Sequence, residues 1–181
     1  MRLLSNKLAI SGVVSLLAAS SALGASGGRP DLALWDTNMK PQKLSQYRGK
    51  IVILNFWATW CENCKTELPM LVEEQTRYQD RGVVVVGASM DDATTVKNVP
   101  PFVKKEKLNF PIWIGANIDH LDKLGLGQAI PATAFFDRDG NLVGRILGVL
   151  RKDDVEHRIE WLLGNREGTA PEPLVNNLGS K

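Results

Sequence analysis

Two apolar runs constrain this chain more than any other feature: IVILNF at residues 51–56 and VVVVGA at 83–88. Each is nearly continuous rather than alternating, the pattern of a strand covered on both faces within a helix-flanked sheet. Between them, residues 61–79 place Leu68, Leu71, Val72 and Tyr78 close to one helical face, with Gly82 positioned to end the helix. The segment is therefore expected to be helical, kinked at Pro69. Strand, helix and strand in this order make a right-handed parallel crossover. The chain has 181 residues, 44% hydrophobic and 23% charged, which suits one globular domain with a core large enough to fold without cross-links.

Shorter signals fill in the remainder. LSQYRGK reads as a helical turn closed at Gly49, and residues 98–108 as a second helix capped by Asn98 with Val99, Phe102 and Val103 turned inward. FPIWI is a short strand and IDHLDKLGL a short helix. ATAFF and LVGRIL flank DRDGN, whose Asp-Gly marks the turn of an antiparallel hairpin at the sheet edge. The last helix, about 153–163, aligns Val155, Ile159, Leu162 and Leu163. Residues 25–164 thus form the domain, and 165–181, rich in Gly, Pro and Asn, are expected to be a flexible tail.

Residues 1–24 differ in kind. Arg2 and Lys7 precede an acid-free apolar run that ends in small residues at Ala22, Gly24 and Ala25. That is the pattern of a secretory signal, shorter than the roughly 20 residues of a spanning helix. Retention as a membrane anchor is the rival reading. The two cations account for the whole excess of 22 basic over 20 acidic residues, so the rest of the chain is formally neutral. Interspersed charges of this kind give no nucleic-acid footprint.

The only two cysteines lie three apart in FWATWCENCKTELP, directly after the first apolar run. A bridge across so short a loop removes little denatured-state entropy, which argues against a structural staple. A zinc site would need two further ligands, and His120 and His157 are the only histidines. At a helix N-terminus, unpaired backbone N–H groups favour an anion, so Cys61 is the candidate thiolate. Cys64, one turn on, lies within reach of disulfide geometry. The pair can open and close without unfolding the chain, with Cys61 as exposed attacker and Cys64 as shielded resolver.

NFWATWCENCKTELP, with LSQYRGK before it and AIPATAFFDRDGNLVG after it, resembles the TlpA/ResA-like thiol-disulfide oxidoreductases over residues 30–164. The resemblance implies an α/β protein of thioredoxin-like fold: a central mixed β-sheet flanked by helices, with an N-terminal β extension and an extra helical and strand insertion. It implies catalytic roles for Cys61, Cys64 and Glu67, and site-shaping roles for Trp60, Glu62, Asn63, Ile130 and a cis Pro131 facing the disulfide. It implies no cofactor and no metal. It implies disulfide-bearing clients such as an apocytochrome c, recharging by a membrane thiol-disulfide donor, and a periplasmic or secreted location, membrane-anchored if the signal is retained. Asn55 stands where cytoplasmic thioredoxins carry a buried aspartate, and Glu67 is the acid expected to act in its place. Trp57 is expected mainly to pack and Trp60 to flank the outer sulfur. The alternatives are a copper-binding chaperone, whose cysteines are spaced one residue further apart, and a thiol peroxidase, whose motif ATWC does not match.

Overall fold

A computed structural model describes residues 29–178; the 1–24 segment read as a signal lies outside them. The two apolar runs form β3 (Ile51–Trp57) and β4 (Val83–Ser89), every residue buried, paired in parallel from Ile51↔Val83 to Trp57↔Ser89. Successive side chains of a strand point to opposite faces, and this alternation splits the interior into two layers. Ile51, Ile53, Trp57, Val83 and Val85 pack on one face, under α1 (Glu62–Tyr78) and α4 (Lys152–Leu163). Val52, Leu54, Phe56, Val84 and Val86 pack on the other, under α3 (Ile118–Lys123).

The sheet also contains β1 (Ala33–Asp36), β2 (Pro41–Lys43), β5 (Ile112–Ile114), β6 (Ala132–Phe136), β7 (Leu142–Leu147) and β8 (Leu174–Asn176), in the order β2-β1-β5-β4-β3-β6-β7-β8. β1 and β2 are the N-terminal extension, and α2 (Val99–Lys105), β5 and α3 the insertion between β4 and β6. The mixed sheet and flanking helices match the expected fold class.

Part of the tail expected to be flexible forms a strand: Leu174, Val175 and Asn176 pair in parallel with Arg145, Ile146 and Leu147. The outer edge of β7 carries unpaired backbone groups, and the tail satisfies them. The Asn177 amide N–H donates to the Leu147 carbonyl (2.6 Å), and its side-chain Nδ2 donates to the Val149 carbonyl (2.9 Å). A Cβ at Gly148 (φ +85°) would come within 2.7 Å of the Asn177 backbone, so glycine is what lets the tail approach. The β6–β7 hairpin therefore lies one strand in from the edge. Asn98 makes no side-chain cap bond, because a 3-10 turn at Val96–Asn98 already carries it in helical geometry.

α1 runs continuously across Pro69, and its buried stripe is Cys64, Glu67, Leu68, Leu71, Glu74, Gln75 and Tyr78. Val72, expected inward, is half-buried. Gln75 takes an inward slot because its Oε1 accepts the Val85 backbone N–H (2.7 Å), tying the helix to β4. Among the described residues, no helix is long and apolar enough to cross a membrane.

Candidate active site

β3 ends at Trp57, and a short loop turns into α1 with Cys61 as the N-cap residue. The loop is held from below. Asp91, buried after β4, accepts the Thr59 backbone N–H (2.9 Å), the Thr59 hydroxyl and the Ser89 hydroxyl (2.8 Å). Asn at position 91 presents an amide donor to one of these donors. We expect Asp91→Asn to lower the stability of the oxidised protein by about 1–2 kcal/mol, read as a lower urea midpoint at unchanged slope.

Cys61 and Cys64 are joined as a disulfide, S–S 2.10 Å with Cα atoms 5.3 Å apart. Cys61, expected to be exposed, is buried at 7% exposure, and Cys64 has none, so what access there is lies at the outer sulfur. The Cys64 backbone N–H donates to Cys61 Sγ (3.2 Å). That donor and the positive end of α1 favour negative charge on this sulfur. Glu62 in the first turn opposes it, but pairs with Lys65 (2.6 Å) at the exposed surface, where such charges act weakly.

Around the disulfide, Trp60 is 56% exposed, and Glu62 and Asn63 are exposed beside it, forming an outer rim. Trp57 is fully buried and packs against Phe102, ring centroids 5.2 Å apart. The Ile130–Pro131 peptide is cis. Ala132 pairs with Phe56 in antiparallel register, so the next residues along, Pro131 and Trp57, share the end of the sheet from which the cysteine loop departs. Pro131 is buried and Ile130 half-buried.

Glu67 is 2% exposed, which rules out a solvated helix residue. Asn55 and Thr133 share its face of the sheet. Asn55 Nδ2 donates to Glu67 Oε1 (2.6 Å) and to Thr133 Oγ1 (3.0 Å), and the Leu150 backbone N–H donates to Glu67 Oε2 (2.7 Å). Burial pushes the Glu67 carboxyl up to about 7, partly offset by the Leu150 and Asn55 donors. Asn55 is thus a partner of the acid as well as a residue that cannot ionise. Thr133, Leu150 and Asp91 were not singled out in the sequence. The two histidines are placed on opposite faces: His120 in the capping box of α3, His157 exposed on α4.

Residues 28–145 match the model of the AhpC/TSA family. The chain is 33% identical over 140 residues to a protein named thiol-disulfide oxidoreductase ResA from Geobacillus thermodenitrificans, covering 77% of this chain and 79% of that one. The chain belongs to the ResA-like thiol-disulfide oxidoreductases. A Bacillus subtilis protein of the same name is 29% identical over 136 residues, 75% of this chain and 74% of that one. The crystal structure of a DsbE-type thiol:disulfide interchange protein from Chlorobium tepidum superposes with a TM-score of 0.68 at 27% identity, covering 75% of this chain and 95% of that one. In a ResA-like enzyme the Cys61–Cys64 pair is the redox couple, and its partners are proteins that exchange disulfides.

Proposed function

We propose that this ResA-like enzyme works outside the cytoplasm as a reductant of protein disulfides. The Cys61 thiolate attacks one sulfur of a client disulfide, forming a mixed disulfide and releasing the other client sulfur as a thiolate. Cys64, after losing its proton, attacks Cys61 Sγ. The second client thiol leaves and the Cys61–Cys64 disulfide remains, so two electrons have passed to the client. A membrane thiol-disulfide donor returns them, and the two sulfurs carry both electrons without a cofactor. Trp60, Glu62, Asn63 and Ile130–Pro131 form the surface a client meets. Family membership supports an apocytochrome c as client and, with the 1–24 segment, a periplasmic or secreted location.

The observation that carries the reading is the asymmetry of the pair: Cys61 at the helix N-cap with a backbone donor on its sulfur, Cys64 fully buried. The deciding experiment is the reduction potential of the Cys61/Cys64 couple, paired with insulin reduction. A potential near about −270 mV or lower is expected, and one near about −120 mV would make the protein an oxidant instead. The AhpC/TSA match favours one second reading, a thiol peroxidase; peroxide consumption by the reduced protein separates it.

A further inference from the structure

We propose that Asn177, directly after β8, is a positioning residue for the disulfide exchange: its side chain orients the Glu67 carboxyl through one peptide group of the loop that follows β7. The proposal rests on the reductase reading, with Glu67 as the acid beside the resolving Cys64. Asn177 is 7% exposed, and its Nδ2 donates to the Val149 carbonyl (2.9 Å). That carbonyl and the Leu150 N–H belong to the same peptide group, and the Leu150 N–H donates to Glu67 Oε2 (2.7 Å). The group is planar, with its C=O and N–H pointing to opposite sides, so a donor that holds the oxygen also aims the hydrogen. Residues 148–151 lie between β7 and α4 with no ladder of their own to do this. Bonds in series through one peptide also strengthen each other.

A second peptide group of the loop is held in the same manner. The Asn177 backbone N–H donates to the Leu147 carbonyl (2.6 Å), and the Gly148 N–H of that group donates to the Pro131 carbonyl (2.9 Å). This bond needs no side chain at residue 177, so the two arms can be separated by substitution. The Leu150 donor favours the charged form of the Glu67 carboxyl and works against the effect of burial. Loosening its peptide group therefore leaves the proton on Glu67 to higher pH. Asn55, which donates to the carboxyl, and Thr133 behind it do not titrate, nor do Cys61 and Cys64 while joined. Among the described residues Glu67 has no ion pair. A change in its titration thus reports its hydrogen bonds.

The test follows the Glu67 carboxyl carbon by NMR through a pH titration of the oxidised full chain. In Asn177→Ala the carboxyl is expected to bind its proton about three- to tenfold more tightly than in the wild type, and the Leu150 amide to exchange faster with solvent. Leu174→Ala, which trims an exposed side chain of the same strand and leaves both bonds, is expected to match the wild type. Insulin reduction is expected to slow in Asn177→Ala, and to slow no further when that change is added to Glu67→Gln. The proposal is overturned by an unchanged Glu67 titration in Asn177→Ala, by the same shift in Leu174→Ala, or by additive losses in the double variant. A wild type that fails to reduce insulin would overturn the reductase reading instead, while the titration still decides whether Asn177 orients Glu67.

Discussion

Cys64→Ala accumulates disulfide-linked adducts through Cys61 and loses turnover of a protein disulfide. The attacking sulfur keeps its place at the N-cap, so the first exchange proceeds. The second then depends on an external thiol. Cys64 holds its sulfur next to Cys61 on one helical turn, Cα atoms 5.3 Å apart, and reactions between groups so held exceed their intermolecular counterparts by large factors. We expect resolution to slow by at least about 10²-fold, with adducts seen on non-reducing gels and located by mass spectrometry. Cys61→Ala should form few, because the remaining sulfur is fully buried. Adducts with Cys61→Ala and none with Cys64→Ala would reverse the two roles.

Glu67→Gln slows the resolving step by about 10²-fold and removes a pH dependence. Cys64 must shed a proton before it attacks, within apolar surroundings that favour the neutral thiol. A carboxyl held near 7, one turn along the same helical face, is matched to accept that proton directly or through one water. Gln keeps the shape. It has one acceptor for two donors, but Asn55 can turn its amide over: its Oδ1 has no partner as it stands and would then accept from the new amide and the Thr133 hydroxyl.

Stability has a definite sign as well. The folded-state carboxyl titrates near 7 against an unfolded value of 4.5, so between these pH values the folded state binds more protons. Stability from this group is therefore greatest below about 4.5 and lost as pH rises to about 7, by about 3 kcal/mol. Urea unfolding of the oxidised protein at pH 4.5 and pH 8 should show that loss in the wild type and not in Glu67→Gln. Equal turnover and equal pH profiles in the two proteins would leave Glu67 with no part in the chemistry.

The parts of the fold readable in advance were those that carry their own burial pattern. IVILNF and VVVVGA show no polar alternation because both faces are covered, and the Asp-Gly turn identified the β6–β7 hairpin from its own residues. β8 could not be read that way. Its Leu174 is exposed and its pairing groups are completed by β7, 29 positions earlier in the chain. The site divides similarly. Cys61 and Cys64 announce themselves through spacing within one helix. The environment of Glu67 does not, because its partners are Asn55, 12 residues away, and Leu150, 83 away, and a glutamate early in a helix is favoured in any case. Asp91 meets Thr59 across 32 residues and reads locally as an ordinary turn acid.

The clamp made by Asn177 sets an order in time. Its two bonds fix the carbonyls of Leu147 and Val149. The Gly148 N–H between them donates to the Pro131 carbonyl (2.9 Å), and the next residue, Leu150, holds Glu67. A ribosome delivers Cys61 and Cys64 together and Asn177 well after them. A nascent chain can therefore carry the complete redox pair well before it has the frame that orients its acid, and a product cut short ahead of residue 174 keeps both sulfurs without that frame.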